Sequence, residues 1–406
     1  MRNLVYCAGG SLDIFDKCYN FTRAKETIEA GIYPYFIPLS GNDGPRVSMN
    51  GHKVIMIGSN NYLGLTHDPR VVEAAVAATK KYGTSCSGSR FLNGTLDLHN
   101  QLEERLAKFM KREAALAFSA GYLTNLGAIS TLVNQGEYII IDKSDHASIY
   151  AGVRFASDAI VKRYNHNDMG SLERVLSQIE PEKGILIVSD GVFSMEGDII
   201  NLPELVPIAK KYNARIYIDE AHGLGILGEN GRGSCEYFGL EESVDIIMST
   251  FSKSLASLGG FIAGPREVID YVKHYASSLI FTASPTPAAT AAVLKSIDII
   301  ESEPEHMRRL LNTSERMRRE FKRLGFNIGA SKDTPIIPIY IGNDDKTFYF
   351  WRRLFDEGVY CNAVISPAVP PDKSLLRTSY MSTHTDADLD RVLEIMDKVG
   401  KELGVI

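Results

Sequence analysis

The sequence predicts an α/β protein, with a large domain built on a mostly parallel sheet followed by a smaller C-terminal α/β domain. Two observations carry this. From about residue 53, short β-branched runs alternate with longer helix-periodic runs, the pattern of crossover units that feed a parallel sheet. At 406 residues the chain is also long enough for two cores rather than one.

In chain order, the first fifty-seven residues match this rhythm poorly and read as an arm followed by a short β segment over 46–57. Strand candidates then fall at 114–118, 138–141, 185–189, 214–219, 245–249 and 260–263. Most end in small or polar residues, as expected where ligands bind beyond the carboxyl ends of strands. A long helical stretch over 285–324 follows, then a strand at 335–341 and a closing amphipathic helix over 386–403. The expected division is an arm (1–57), a large domain (58–290) and a small domain (291–406).

Composition narrows the function classes. With 44 basic and 50 acidic residues the net charge is −6, and no dense Lys/Arg block is present to neutralise a phosphate backbone, so a nucleic-acid partner is not expected. Five scattered cysteines (Cys7, Cys18, Cys86, Cys235, Cys361) form no CxxC pair and fit a reducing compartment. No run of eighteen apolar residues and no signal-peptide pattern is seen. A cytoplasmic location is therefore expected, with peripheral membrane contact left open.

The chemistry concentrates at strand ends. Ser249-Thr-Phe-Ser-Lys-Ser crowds hydroxyls around Lys253. A partly desolvated lysine there suits a Schiff base with a carbonyl cofactor, and Thr250 and Ser252 suit its phosphate. An isolated lysine is usually a solvated surface residue; what tips the reading is the strand 214–219 running into Asp219-Glu-Ala-His222. An acid at a buried strand tip needs a cation, and a protonated pyridine nitrogen is one. His222 is placed to donate to that ring's phenolic oxygen. A metal pair or a core histidine is the competing reading, but no second ligand cluster of suitable spacing lies nearby.

Two glycine-bearing segments compete as phosphate cradles. Gly223-Leu-Gly-Ile-Leu-Gly matches a dinucleotide fingerprint by letter, yet loop composition follows where the fingerprint needs a helix. Ser119-Ala-Gly121-Tyr122 closes a strand and opens a helix, where free N–H groups attract phosphate; a plain helix start is the alternative. His146, in Asp145-His-Ala-Ser, sits between strand and helix, positioned either to stack on a planar ring or to cap the helix.

With Gly58-Ser-Asn-Asn-Tyr-Leu-Gly-Leu, Gly88-Ser-Arg-Phe-Leu-Asn-Gly-Thr, Asp190-Gly-Val-Phe-Ser-Met-Glu-Gly-Asp and Leu376-Arg-Thr-Ser added, the chain over about 30–400 resembles the α-oxoamine synthase family of fold-type I pyridoxal-phosphate enzymes, which are aspartate aminotransferase-like. Within that family the wording is most similar to soluble bacterial members that condense L-serine with palmitoyl-CoA to 3-ketodihydrosphingosine.

The resemblance implies that Lys253 binds the aldehyde of pyridoxal 5'-phosphate. It implies further that Asp219 pairs with the pyridine nitrogen, His222 with the phenolic oxygen, and that His146 stacks on the ring. Gly121, Tyr122, Thr250 and Ser252 would hold the phosphate, Thr282 would reach that of a partner subunit in a homodimer with shared active sites, and Asn61, Ser194 and Arg377 would orient the substrate. In one departure, Ile365 stands where some bacterial relatives carry an additional arginine. Sister activities, glycine with a short acyl-CoA (glycine C-acetyltransferase) or alanine with pimeloyl-CoA (8-amino-7-oxononanoate synthase), are the alternatives, and an inactive partner subunit a third.

Overall fold

Apolar runs too long and too β-branched for surface helices pair edge to edge into three sheets. They do so in a computed structural model that describes residues 13–42, 44–156 and 158–406. Near the N-terminus, β1 (Leu39–Gly41), β2 (Arg46–Met49) and β3 (His52–Met56) form an antiparallel meander. The large sheet follows: β4 (Ala114–Phe118), β5 (Tyr138–Asp142), β6 (Ile160–Tyr164), β7 (Ile185–Asp190), β8 (Arg215–Asp219), β9 (Ile246–Thr250) and β10 (Gly260–Gly264). Their spatial order is β4-β10-β9-β8-β7-β5-β6, and only β10 runs antiparallel to its neighbours. The last sheet is antiparallel and comprises β11 (Ile336–Gly342), β13 (Asn362–Val364) and β14 (Ser374–Ser379), while the short β12 (Val359–Tyr360) pairs in parallel with β3.

Both faces of the large sheet are covered, which is why its strands are continuous apolar runs rather than alternating ones. Ile140, Ile187, Ile218, Ile247 and Phe261 point into one core, and Ile139, Val188, Tyr217, Met248 and Ile262 into the other. The strand β6 was not expected. It is an edge strand with four of its five residues, Ile160 to Arg163, exposed, so its pattern carries no burial signal. The helical stretch expected over 285–324 is two helices, Pro287–Ser302 and Glu305–Leu324, parted at Pro304, which has no N–H to continue the first. Gly223–Gly228 forms turns, with Gly225 and Gly228 at φ 76° and 85°, and no helix begins there.

Two contacts bring distant segments to the site. The helix Pro287–Ser302, within which position 290 falls, packs against Pro69–Tyr82 and Asp97–Phe109. The chain after β3 is stitched to β14: Ser379 donates its N–H to the Ile57 carbonyl, and its hydroxyl donates to the Ser59 carbonyl at 2.7 Å. Cys18, Cys86, Cys235 and Cys361 are free thiols; Cys7 lies outside the described residues.

Ile187 is fully buried in a central strand. Ile187→Ala is expected to destabilise the fold by about 2–5 kcal/mol, transfer and cavity contributions together. Chemical denaturation measures this, and a midpoint equal to wild type contradicts the packing described.

Candidate active site

Four parallel strands deliver polar residues to one edge of the sheet: Asp142 closes β5, Asp190 β7, Asp219 β8 and Thr250 β9. They surround the place where strand order reverses about β7 and β5, the crevice in which open α/β sheets bind ligands. A cavity of about 270 Å³ opens there, walled by Gly121, Tyr122, His146, Asp219, His222, Thr250, Ser252 and Lys253, together with Ser148 and Asp190. A roomier hollow of about 430 Å³ lies at the opposite, amino-terminal edge of the sheet. Its walls, among them Leu132, Tyr138, Ile185 and Ile246, bring neither lysine nor imidazole, so the chemistry belongs to the smaller cavity.

Lys253 follows β9 in a turn and is partly accessible through the cavity while densely surrounded by protein. Burial pulls its ammonium down to about 8; Asp219 and Asp190 oppose that pull and the Arg377 charge adds to it. At pH 7 about a tenth of such lysines are neutral, far more than for a solvated one. Asp219 is itself buried and bound only by neutral donors, Asn125 Nδ2 at 2.7 Å and the Ala221 N–H at 2.9 Å. Asn125 is held in turn by the Tyr217 hydroxyl at 2.8 Å and donates to Ser148 Oγ at 2.8 Å. Burial, then the charges of Asp219 and Asp145, pushes the Asp190 carboxyl well up.

Of the two roles expected of His146, the structure shows the helix cap. His146 caps the helix Ala147–Phe155, with Nδ1 2.7 Å from Ser148 Oγ, and its ring still walls the cavity. Burial lowers its pKa and that of His222, the latter strongly, with the Lys253 and Arg377 charges adding to the effect on His222. His222 is thus a neutral imidazole, its Nδ1 2.7 Å from the Tyr62 hydroxyl.

Pyridoxal phosphate fits these residues on three observations. The helix Gly121–Leu132 begins with no side chain capping it, so its first N–H groups are free for a phosphate. A Cβ at Gly121 would lie 2.7 Å from Thr250 Oγ1, so only glycine lets the helix start approach the Thr250–Ser252 hydroxyl pair, whose oxygens are 2.9 Å apart. Asp219 supplies the buried anion that a pyridinium needs. Lys253 and Asp219 would hold the two ends of the ring, His146 and His222 its face and edge.

The other four expected residues lie outside this wall. Arg377, on β14, is buried, donating from Nε to the Ser194 carbonyl at 2.6 Å and from Nη2 to the Tyr62 hydroxyl at 3.3 Å. Ser194 thus meets Arg377 through its backbone. Asn61 donates from Nδ2 to Thr66 Oγ1, and its Oδ1 is buried without a partner. Thr282 sits beyond the helix Ser277–Ile280, in the segment where the Ala283 carbonyl takes a hydrogen bond from Ser119. Sequence reasoning missed Tyr62, Asn125, Ser148 and Asp190. Tyr62, Ser148 and Asp190 stood inside quoted motifs, whereas Asn125 looks like any polar residue near a helix start.

The segment bearing Ser194 is clasped to the sheet by His166, which lies 3.2 Å from both Asp142 and Asp198. Burial disfavours its charge, but the hydrogen bonds to Asp142 and Asp198 outweigh this and push its pKa up to about 10. A folded-state pKa above the unfolded value gives stability that is fully present below the unfolded pKa, about 6.5, and is lost as pH rises through the folded one. The gap in thermal midpoint between wild type and His166→Gln is therefore expected to be widest at or below pH 6.5 and to close toward pH 10. A gap constant across that window contradicts the clasp.

The sequence matches the aminotransferase class I and II family over residues 52–396. It is similar to a serine palmitoyltransferase of Sphingobacterium spiritivorum, 49% identical over 387 residues, which are 95% of this chain and 96% of that protein. It is also similar to an 8-amino-7-oxononanoate synthase of Thermoanaerobacter pseudethanolicus, 41% identical over 385 residues, 95% of this chain and 97% of that one. Among solved structures, a lysine-to-alanine variant of serine palmitoyltransferase from S. paucimobilis, with a bound PLP–myriocin aldimine, superposes with a TM-score of 0.94 at 35% identity. The match covers 97% of this chain and 100% of that one. The chain belongs to the aminotransferase class I and II family, as a pyridoxal-phosphate enzyme of the α-oxoamine synthase group.

Proposed function

We propose that this enzyme condenses L-serine with a long-chain acyl-CoA, palmitoyl-CoA above others, releasing carbon dioxide and CoA and giving 3-ketodihydrosphingosine, the first step of sphingolipid synthesis. The observation that carries the reading is the place of Lys253, a lowered-pKa amine under the opposing influence of Asp219 and Arg377. An amine that gives up its proton readily, beside a cation suited to a carboxylate, is what α-proton removal from an amino acid requires.

When bound, the cofactor supplies an electron sink for charge developing at the substrate α-carbon. Lys253 would hold the cofactor and, as an amine that loses its proton readily, would take the α-proton of serine. Asp219 keeps a negative charge against the ring nitrogen, His222 donates to the phenolic oxygen, and His146 covers the ring face. Gly121, Tyr122, Thr250 and Ser252 hold the phosphate, with Thr282 reaching that of the partner subunit. Arg377 gives its Nε–H to Ser194 and one Nη2–H to Tyr62, which leaves the two N–H groups of Nη1 and the second of Nη2 to meet the serine carboxylate. Asn61 and Ser194 frame that position.

Support for serine and palmitoyl-CoA over the sister reactions comes from the relatives. Those named serine palmitoyltransferase are 46–49% identical, against 39–42% for those named 8-amino-7-oxononanoate synthase. A homodimer is favoured by apolar residues exposed around the cavity mouth: Tyr122 and Leu258 on its wall, Phe91 and Leu92 in a loop that pairs with Ala283–Ser284, and Phe281 beside it. No helix among the described residues is long and apolar enough to cross a membrane; we assign the enzyme to the cytoplasm on its free thiols.

Lys253→Ala is expected to abolish the absorbance of the lysine–cofactor linkage and to lower product formation by at least about 10²–10⁴-fold, the usual worth of a positioned base. A product assay pairing serine, glycine and alanine with acyl-CoAs of several lengths tests the substrate assignment. Serine with palmitoyl-CoA is expected to give the highest kcat/KM, and alanine with pimeloyl-CoA in that place overturns it.

A further inference from the structure

Tyr62 is fully buried, and a buried phenol hydroxyl must find partners. It has three: His222 Nδ1 at 2.7 Å, Asn60 Oδ1 at 3.2 Å and Arg377 Nη2 at 3.3 Å. A guanidinium only donates, so the phenol oxygen accepts from Arg377 and has one proton left to give. Asn60 Oδ1 and Nδ1 compete for it, and Nδ1, nearer by half an ångström, takes it when the imidazole proton stands on Nε2, facing the cavity. His222 is a neutral ring, and a neutral imidazole whose Nδ1 accepts carries its proton on Nε2. The ring makes no other hydrogen bond among the described residues and walls the cavity, so that proton is available to whatever the cavity holds.

We infer that Tyr62 is a positioning residue: its hydroxyl fixes the His222 proton on Nε2, toward the cofactor's phenolic oxygen, and at the same time steadies Arg377, the carboxylate clamp. The inference rests on the roles proposed above for His222 and Arg377. One hydroxyl thereby joins the group that tunes the cofactor to the group that seats the substrate, the latter 315 residues from Tyr62 in the chain. The route runs along the seam where Ser379 binds Ile57 and Ser59, which places the residues just after β3 beside β14.

Removing the hydroxyl frees His222 to carry its proton on Nδ1 and turn an acceptor toward the phenolic oxygen. Losing a donor at that oxygen strengthens the oxygen's hold on the neighbouring proton of the lysine–cofactor linkage. The pH midpoint of the cofactor chromophore, read without substrate, is thus expected to rise in Tyr62→Phe by about one unit, the size of one charge-assisted hydrogen bond. The serine KM is expected to rise about fivefold through the loosened clamp, with the KM for acyl-CoA unchanged. A purely structural tyrosine would lower yield or melting temperature and leave the midpoint in place.

If Tyr62→Phe does not fold, 3-fluorotyrosine at position 62 keeps the shape and makes the hydroxyl a stronger donor, moving the midpoint downward instead. A wild-type protein that forms the chromophore and its product, while neither substitution moves the midpoint, overturns the inference and leaves the proposed function standing. A wild-type protein that forms no chromophore overturns the proposed function first.

Discussion

The structure depends on keeping an ammonium group inside a protein. Buried carboxylates at the ends of β5, β7 and β8 are unstable neighbours for one another, and Asp190 shows it in a carboxyl pushed well up by burial and by Asp219 and Asp145. Lys253 is the cation that answers Asp190 and Asp219, as His166 answers Asp142, and burial weakens its grip on its proton as the two acids strengthen it. Neither influence wins outright. The amine settles at about 8, close enough to neutral pH to take a proton and return it.

The sheet makes that balance possible because parallel strands all present their carboxyl ends to the same edge. Chain reversal at β10 adds the close packing: a Cβ at Gly260 would meet Gly121 Cα at 2.8 Å, and one at Gly121 would meet Thr250 Oγ1. Glycine on both sides lets the helix start and the hydroxyl pair converge on one small volume. The proposed phosphate site thus rests on backbone geometry and the proposed lysine chemistry on charge, and the two meet because β9 carries Thr250 at its tip and Lys253 three residues on.

Much of this was legible in the sequence for a definite reason. Strands buried on both faces announce themselves as apolar runs, and the residues of chemistry at their tips are local: Thr250, Ser252 and Lys253 share a turn, and Asp219 and His222 share another. What escaped is non-local or exposed. The edge strand β6 has no buried face to leave a pattern, and the break at Pro304 was absorbed into a helix-rich composition. Asn125, which positions Asp219, is separated from it by ninety-four residues, and nothing near a helix start points that far. Tyr62 was read only as part of a motif, since its worth lies in contacts made across the chain.

That pattern says where the enzyme is vulnerable. The lysine and its acids sit on one sheet, the carboxylate clamp on another, and the reaction needs both to face the same carbon with little error. The seam from Ile57 to Tyr62 is bonded to the clamp strand and to the His222 turn alike, through Ser379, Arg377 and Nδ1. A disturbance there alters no group that touches the substrate's reacting bond, yet it shifts the clamp and the proton on His222 together. Residues remote in sequence from Lys253 therefore govern whether its readily lost proton is put to use.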